Sequence, residues 1–290
     1  MGYVNGRYRP LPRHAVALED RGYQFADGIY EVIKLVGGVL CDLERHLDRM
    51  ERSLRELRIE PPMSRAALVS VMAELVRRNR RRDGLLYLQI SRGVAARNHL
   101  FPTDVSPQLV MTLRGPKRPS AQQLEHGVRV VTMADERWAR CDIKSISLLP
   151  NVLAKQRAQE AGAYEAWLVD RAGLITEAST ANAYIVDDRD RLITRPLGPA
   201  ILGGITRQVL LELARQDGIE VDERPFSVDE AKASREAILT STTNWVMPVT
   251  RIDDVALGDD GLAGPVSRRL SSLYAAHIDG LIGPRNRIRA

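Results

Sequence analysis

Arg137-Trp-Ala-Arg-Cys-Asp-Ile-Lys144-Ser-Ile-Ser-Leu-Leu149 sets one amine among apolar side chains and small hydroxyls. Taking an ammonium out of water without a partner costs so much that a buried lysine tends to give up its proton instead. The neutral amine that remains is a nucleophile suited to Schiff-base chemistry with carbonyl compounds. The same lysine could point outward from a half-buried strand, as most lysines do, and the segment by itself leaves both readings open.

Working outward, Ile29-Tyr-Glu-Val-Ile-Lys-Leu-Val36 reads as a strand ended by Gly37-Gly38, with Tyr30, Val32 and Lys34 on one face. Asn5-Gly6 marks a tight turn ahead of it. A helix is predicted from Asp42, with Leu43, His46, Leu47, Met50, Leu54 and Leu57 at helical spacing and Pro61-Pro62 as the stop. Its Arg49 is indistinguishable by spacing from Arg45, Arg52 and Arg55. Leu85 to Gly93 reads as a buried strand, and the loop Val94 to Pro102 then presents Arg97 and His99, which could converge on one carboxylate. After the strand Leu109 to Leu113, the basic, proline-containing stretch Arg114 to Ser120 is the best linker. It divides a smaller N-terminal α/β domain, 1–116, from a larger domain, 122–290, with 117–121 between them; the larger domain opens with the strand Gly127 to Met133 and carries Lys144.

Further on, Asn151 opens a helix that closes at Gly162. Glu177 lies between apolar strand residues and a run of small hydroxyl residues. Gly203-Gly204-Ile205-Thr206 ahead of the helical pattern Arg207 to Arg215 makes an anion site, since a helix start offers free N–H groups and the positive dipole end. A final helix is read over Val266 to Gly280, then a basic tail, Pro284 to Ala290.

The chain has 290 residues, 44% hydrophobic and 27% charged, enough for two modest globular domains. No run of eighteen apolar residues is present, so no membrane span is expected, and the N-terminus lacks the apolar core of a signal peptide. A cytoplasmic protein fits, with Cys41 and Cys141 reduced and no metal-spaced cluster. The net charge of +5 and the run Arg77-Arg78-Asn79-Arg80-Arg81-Arg82 raise nucleic acid as a partner. The run also ends a helical pattern, where cations favour the helix terminus, and no nucleic-acid-binding motif accompanies it, so no such partner is expected.

Several stretches resemble, in order, motifs of the D-amino acid aminotransferases among the fold type IV pyridoxal phosphate enzymes. They are Arg21-Gly-Tyr-Gln-Phe-Ala-Asp-Gly-Ile-Tyr30-Glu-Val, Arg92-Gly-Val-Ala-Ala-Arg97-Asn-His99, Arg137 to Ser145 with Val152-Leu-Ala-Lys-Gln156, Gly204-Ile-Thr-Arg207 and Thr240-Ser-Thr-Thr243. The resemblance implies a two-domain α/β (α+β) fold with a β-barrel-like core in the larger domain, and a homodimer binding pyridoxal 5′-phosphate. It implies transamination between D-amino acids, such as D-alanine, and 2-oxo acids, such as 2-oxoglutarate, by alternating half-reactions. Lys144 would carry the cofactor, Glu177 face its ring nitrogen, and Arg49, Ile205, Thr206, Ser241 and Thr242 hold its phosphate. Tyr30, Arg97 and His99 would position the substrate, the last two as a trap for its α-carboxylate. Ala178-Ser179-Thr180-Ala181 stands where the relatives carry a Gly-Ser-Ser-Ser run, which alters the detail of cofactor hydrogen bonding. An (R)-selective amine transaminase and an aminodeoxychorismate-lyase-like enzyme of the same fold stand as alternatives.

Overall fold

The computed structural model describes residues 1–11, 15–116, 119–258 and 261–283. They form two compact units: the described residues of 1–117, 143–147 and 280–290, and those of 118–142 and 148–279.

The first unit opens with a hairpin of β1 (Gly2–Val4) and β2 (Arg7–Arg9), whose turn residues Asn5 and Gly6 both have positive φ, 43° and 87°. Asn-Gly is the pair that accepts this left-handed geometry most readily. There follow α1 (Arg21–Phe25), β3 (Gly28–Val36), β4 (Val39–Leu40), α2 (Leu43–Leu57), α3 (Arg65–Asn79), β5 (Gly84–Ser91) and β6 (Gln108–Arg114). The strands make one antiparallel sheet in the order β2-β1-β6-β5-β3-β4. Strand parity sends Ile29, Ile33 and Leu35 of β3, with Leu86, Leu88 and Ile90 of β5, into a core shared with Leu47, Met50 and Leu54 of α2 and Leu68, Met72 and Leu75 of α3. Tyr30, Val32 and Lys34 take the opposite face, where Tyr30 stacks on Tyr87 at 5.8 Å. The basic run closes α3, with Arg77 and Arg78 both paired to Glu74 at 2.6 Å.

β4 pairs only with Leu35 and Val36, so the first residues of β3 need another partner on that edge. The lysine segment supplies it: Tyr30 N donates to Lys144 O (3.0 Å), Ile146 N donates to Gly28 O (3.1 Å), and Ile29 bridges Ser145. Residues 143–147 therefore belong to the first unit, whereas the sequence reading gave Lys144 to the second domain. Chain order misleads here because an open strand edge captures a remote segment.

The second unit contains α4 (Ala121–His126), β7 (Val128–Ala134), α5 (Leu149–Glu160), β8 (Glu165–Val169), β9 (Ile175–Ala178), β10 (Asn182–Val186), β11 (Leu192–Thr194), α6 (Ile205–Gln216), β12 (Val221–Glu223), α7 (Val228–Ala233), β13 (Glu236–Ser241), β14 (Trp245–Ile252), β15 (Val255–Ala256) and α8 (Pro265–Ile282), the last as far as Asp279. The sheet runs β12-β11-β10-β13-β14-β7-β8-β9, with β15 on β14. β9 and β10 are joined by only residues 179–181 yet stand at separate places in that order. A three-residue connection cannot span flat intervening strands, so the sheet curls into a half-barrel, filled by Val130, Trp167, Ile175, Ile185, Leu239 and Met247. α4, too short for a periodic signal, is held by a capping box between Ser120 and Gln123, so the expected linker ends in a helix start. Lys117 and Arg118 of that linker, and the tail 284–290, lie outside the described residues. α5 starts at Leu149 rather than Asn151, whose amide Nδ2 instead donates to Ser179 O at 2.8 Å.

Gly28 packs tightly against β5: a Cβ there would lie 2.5 Å from Ile90 O, a backbone atom that cannot step aside. Gly28→Ala is expected to lower stability by about 1–3 kcal/mol, as overpacking does, measured by urea unfolding.

Candidate active site

α2 presents His46, Arg49 and Ser53 on one buried face, the spacing that stacks side chains along a helix. Ser53 Oγ accepts from Lys144 N (3.3 Å), and the Lys144 side-chain nitrogen lies 4.0 Å from the centre of the Tyr30 ring. The structure thus brings Tyr30 and Lys144 together. Glu31, on the core side of β3 and fully buried, accepts from Arg49 Nε and Nη2 (2.7 Å each) and pairs with His46 Nδ1 (2.8 Å). Burial pushes the Glu31 carboxyl up, but the Arg49 guanidinium and the His46 hydrogen bond hold it well below the usual carboxylate range. Burial lowers the His46 imidazole, against the pull of Glu31. Arg49 is distinguished from Arg45, Arg52 and Arg55 by this burial and this fork, which spacing alone could not reveal.

Arg97 and His99 lie exposed on the loop after β5. Both reach the ring of Phe25: the Arg97 guanidinium carbon is 4.4 Å from its centre and the His99 ring 5.3 Å. Arg97 also donates to Gln24 O (3.3 Å) and pairs with no carboxylate among the described residues.

In the second unit Glu177, on β9, is buried among hydrogen-bond donors. Oε1 accepts from Arg137 Nη1 and Oε2 from Asn182 Nδ2 (2.9 Å), while Leu202 N lies 3.1 Å from Oε2. Arg137 also forks onto Asp135 (2.9 and 2.8 Å) and donates to Ala200 O (3.0 Å). Burial pushes the Glu177 carboxyl up to about 7, with Arg137 opposing it. Asp135 is also raised by burial, yet Arg137 and Thr176 bring it below its ordinary value. One arginine therefore serves two buried acids of different proton affinity.

Asn182 was not singled out by sequence, and it joins the remaining parts. Its Nδ2 bridges Glu177 and Leu202 O (2.9 Å), and its backbone partner across the sheet is Thr240. Gly204 begins α6 against it, for a Cβ on Gly204 would fall 2.1 Å from Asn182 Oδ1. The helix thus starts at Ile205, with Gly204 as its cap and Thr206 inside the first turn, rather than at Arg207. At the end of β13, Ser241 Oγ bonds Thr243 Oγ1 (3.1 Å) and accepts from Asn244 N (3.3 Å), forming a hydroxyl-lined turn that also contains Thr242. The helix start offers N–H donors and the turn offers hydroxyls, a donor set suited to an anion. Ser179 and Thr180, in the run that departs from the relatives, donate to the buried Glu165, Thr180 at 2.5 Å.

Residues 28–252 match the model of the family described as "Amino-transferase class IV". The chain belongs to the class IV aminotransferases. This class IV aminotransferase is 42% identical to the D-alanine aminotransferase of Bacillus licheniformis over 268 residues, 92% of this chain and 93% of that one. It is 39% identical to that of Listeria monocytogenes over 91% of each chain. Among solved structures, a T.th. branched-chain amino acid aminotransferase with pyridoxamine 5′-phosphate superposes with a TM-score of 0.89 at 25% identity, covering 98% of this chain and 95% of that one. The 4-amino-4-deoxychorismate lyase of Pseudomonas aeruginosa gives 0.81 at 25% identity, covering 99% and 100%. The matched span of this aminotransferase runs from β3 to β14 and so includes every site residue predicted from sequence.

Arg137→Met leaves Glu177 and Asp135 without their shared cation. It is expected to cost about 3–5 kcal/mol in urea unfolding, as loss of one partner from a buried ion pair does, with Arg137→Lys recovering part of it.

Proposed function

We propose that this class IV aminotransferase transfers amino groups between D-amino acids such as D-alanine and 2-oxo acids such as 2-oxoglutarate, with pyridoxal 5′-phosphate as cofactor. The reading is carried by the Lys144 segment on the edge of β3, which holds an amine over the Tyr30 ring in a chain 38–42% identical to named D-alanine aminotransferases. The residues present fit the cofactor group by group. Lys144 suits its aldehyde and the buried Glu177 its ring nitrogen. The α6 start at Ile205 and Thr206, the turn with Ser241 and Thr242, and the permanent charge of Arg49 suit its phosphate.

When bound, the cofactor supplies an aldehyde for the substrate amine and a ring that accepts the electron pair left at Cα. The chain does the rest. Lys144 Nζ would take the substrate Cα proton as general base and give it back as general acid. Glu177, held by Asn182, Leu202 and Arg137, keeps a negative charge where the ring nitrogen carries a proton. Arg97, paired with no described carboxylate, and His99 receive the substrate carboxylate, and Tyr30 orders the space beside Lys144. Each half-reaction releases one product before the next substrate enters, which gives ping-pong kinetics. The working form is taken to be a cytoplasmic homodimer, as the resemblance implies and as the two unbridged cysteines allow. No helix among the described residues is long and apolar enough to cross a membrane.

Incubation with 2-oxoglutarate and, in turn, D-alanine, L-alanine or an (R)-arylamine is expected to yield glutamate from D-alanine. Turnover of the arylamine alone would overturn the assignment. Lys144→Ala should abolish turnover, and a variant that keeps full activity would remove Lys144 from the chemistry. Glu177 takes up a proton as pH falls through about 7, losing the charge that pairs with the ring nitrogen. Cofactor affinity of the apoprotein, followed by fluorescence, should therefore weaken from pH 8 to 6 more steeply than in Glu177→Gln.

A further inference from the structure

α1 has five residues, of which Arg21, Gln24 and Phe25 reach the loop that carries Arg97 and His99. Arg21 N donates to Gly93 O (2.9 Å), Gln24 Nε2 to Ala95 O (3.1 Å), and Arg21 Nη1 to Asn98 O (2.5 Å), the carbonyl between the two trap residues. Beyond them, Phe101 lies under the Arg92 guanidinium, 3.7 Å from its ring centre, and Arg92 is forked onto Asp27 (2.8 and 2.9 Å). The loop backbone is thus fixed on both sides of Arg97, which leaves the two side chains themselves to be placed.

Phe25 performs that placing. Its ring meets Arg97 at 4.4 Å, Arg21 at 4.8 Å and His99 at 5.3 Å. The charge of Arg21 is answered by Asp27 (2.8 Å), while that of Arg97 is answered by no described carboxylate. The difference follows from what an aromatic face does. A carboxylate would hold Arg97 but cancel the charge that an incoming anion needs, whereas a π face holds a guanidinium and leaves the charge in place.

We infer that Phe25 is the positioning residue of the substrate-carboxylate site, holding Arg97 and His99 side by side on one ring with the Arg97 charge unspent. The inference rests on the reading of Arg97 and His99 as receivers of the substrate carboxylate. It requires no contact between Phe25 and substrate, so Phe25 acts on binding and not on proton transfer.

The test uses the holoenzyme with Phe25→Leu and Phe25→Met, which keep apolar bulk without a π face, and Phe25→Tyr, which keeps the ring. Loss of two ring contacts is expected to raise KM for D-alanine and the inhibition constant of propionate by roughly fivefold to tenfold, with kcat close to that of the parent. Phe25→Tyr should behave as the parent. The rate at which hydroxylamine, which carries no carboxylate, bleaches the bound cofactor should stay unchanged in all three. Unchanged propionate inhibition in both ring-less variants, or a hydroxylamine rate altered as much as KM, would overturn the inference. Arg97→Ala separates the two layers. If it weakens propionate while the Phe25 variants do not, the Phe25 inference alone fails; if Arg97→Ala itself leaves propionate unaffected, the trap reading fails and takes the inference with it.

Discussion

The open edge of β3 is the constraint on which the lysine depends. A two-residue β4 covers only the far end of that strand, and the near end completes its hydrogen bonds with residues 144–146. The same three residues that finish the ladder fix the backbone from which Lys144 projects. Placing the amine is therefore a by-product of satisfying a strand edge, and a strained or special conformation is not needed for it.

Charges are handled in two distinct ways. Glu31 is neutralised in place by Arg49 and His46, and Asp135 and Glu177 share Arg137, so burying these carboxylates is offset by partners already in the fold. Glu177 keeps a proton affinity near neutrality despite its donors, because burial outweighs them. Arg97 is treated oppositely. It is held by a ring and a backbone carbonyl, so its charge faces outward undiminished. The buried carboxylates are paired within the fold, and the arginine read as meeting the substrate carboxylate is only steadied.

Much of the first unit was legible from local pattern. Alternation in β3 placed Tyr30 and Lys34 on one face, Asn5-Gly6 made the turn of the first hairpin, and the helical spacing from Leu43 to Leu57 became α2. Motif resemblance singled out Lys144, Glu177 and the Arg97-His99 pair, residues that periodicity treats as ordinary. The short helices α1 and α4 escaped because five or six residues carry too little periodicity, and Asn182 escaped because an asparagine within a strand pattern has no local signature of a joint.

Residue types, their spacing along the chain and the motifs they form were enough to read most of its elements, to place it in its family and to single out Lys144. Folding in three dimensions was needed to decide that Lys144 belongs with β3, that Arg49 is the buried arginine of α2, and that Arg137 stands between two acids. It also decided that Phe25 gathers Arg97 and His99. Each of those is a meeting of side chains or backbone groups that spacing does not specify, set by unsatisfied hydrogen-bonding groups and buried charges finding partners, and no local pattern records which partner is found.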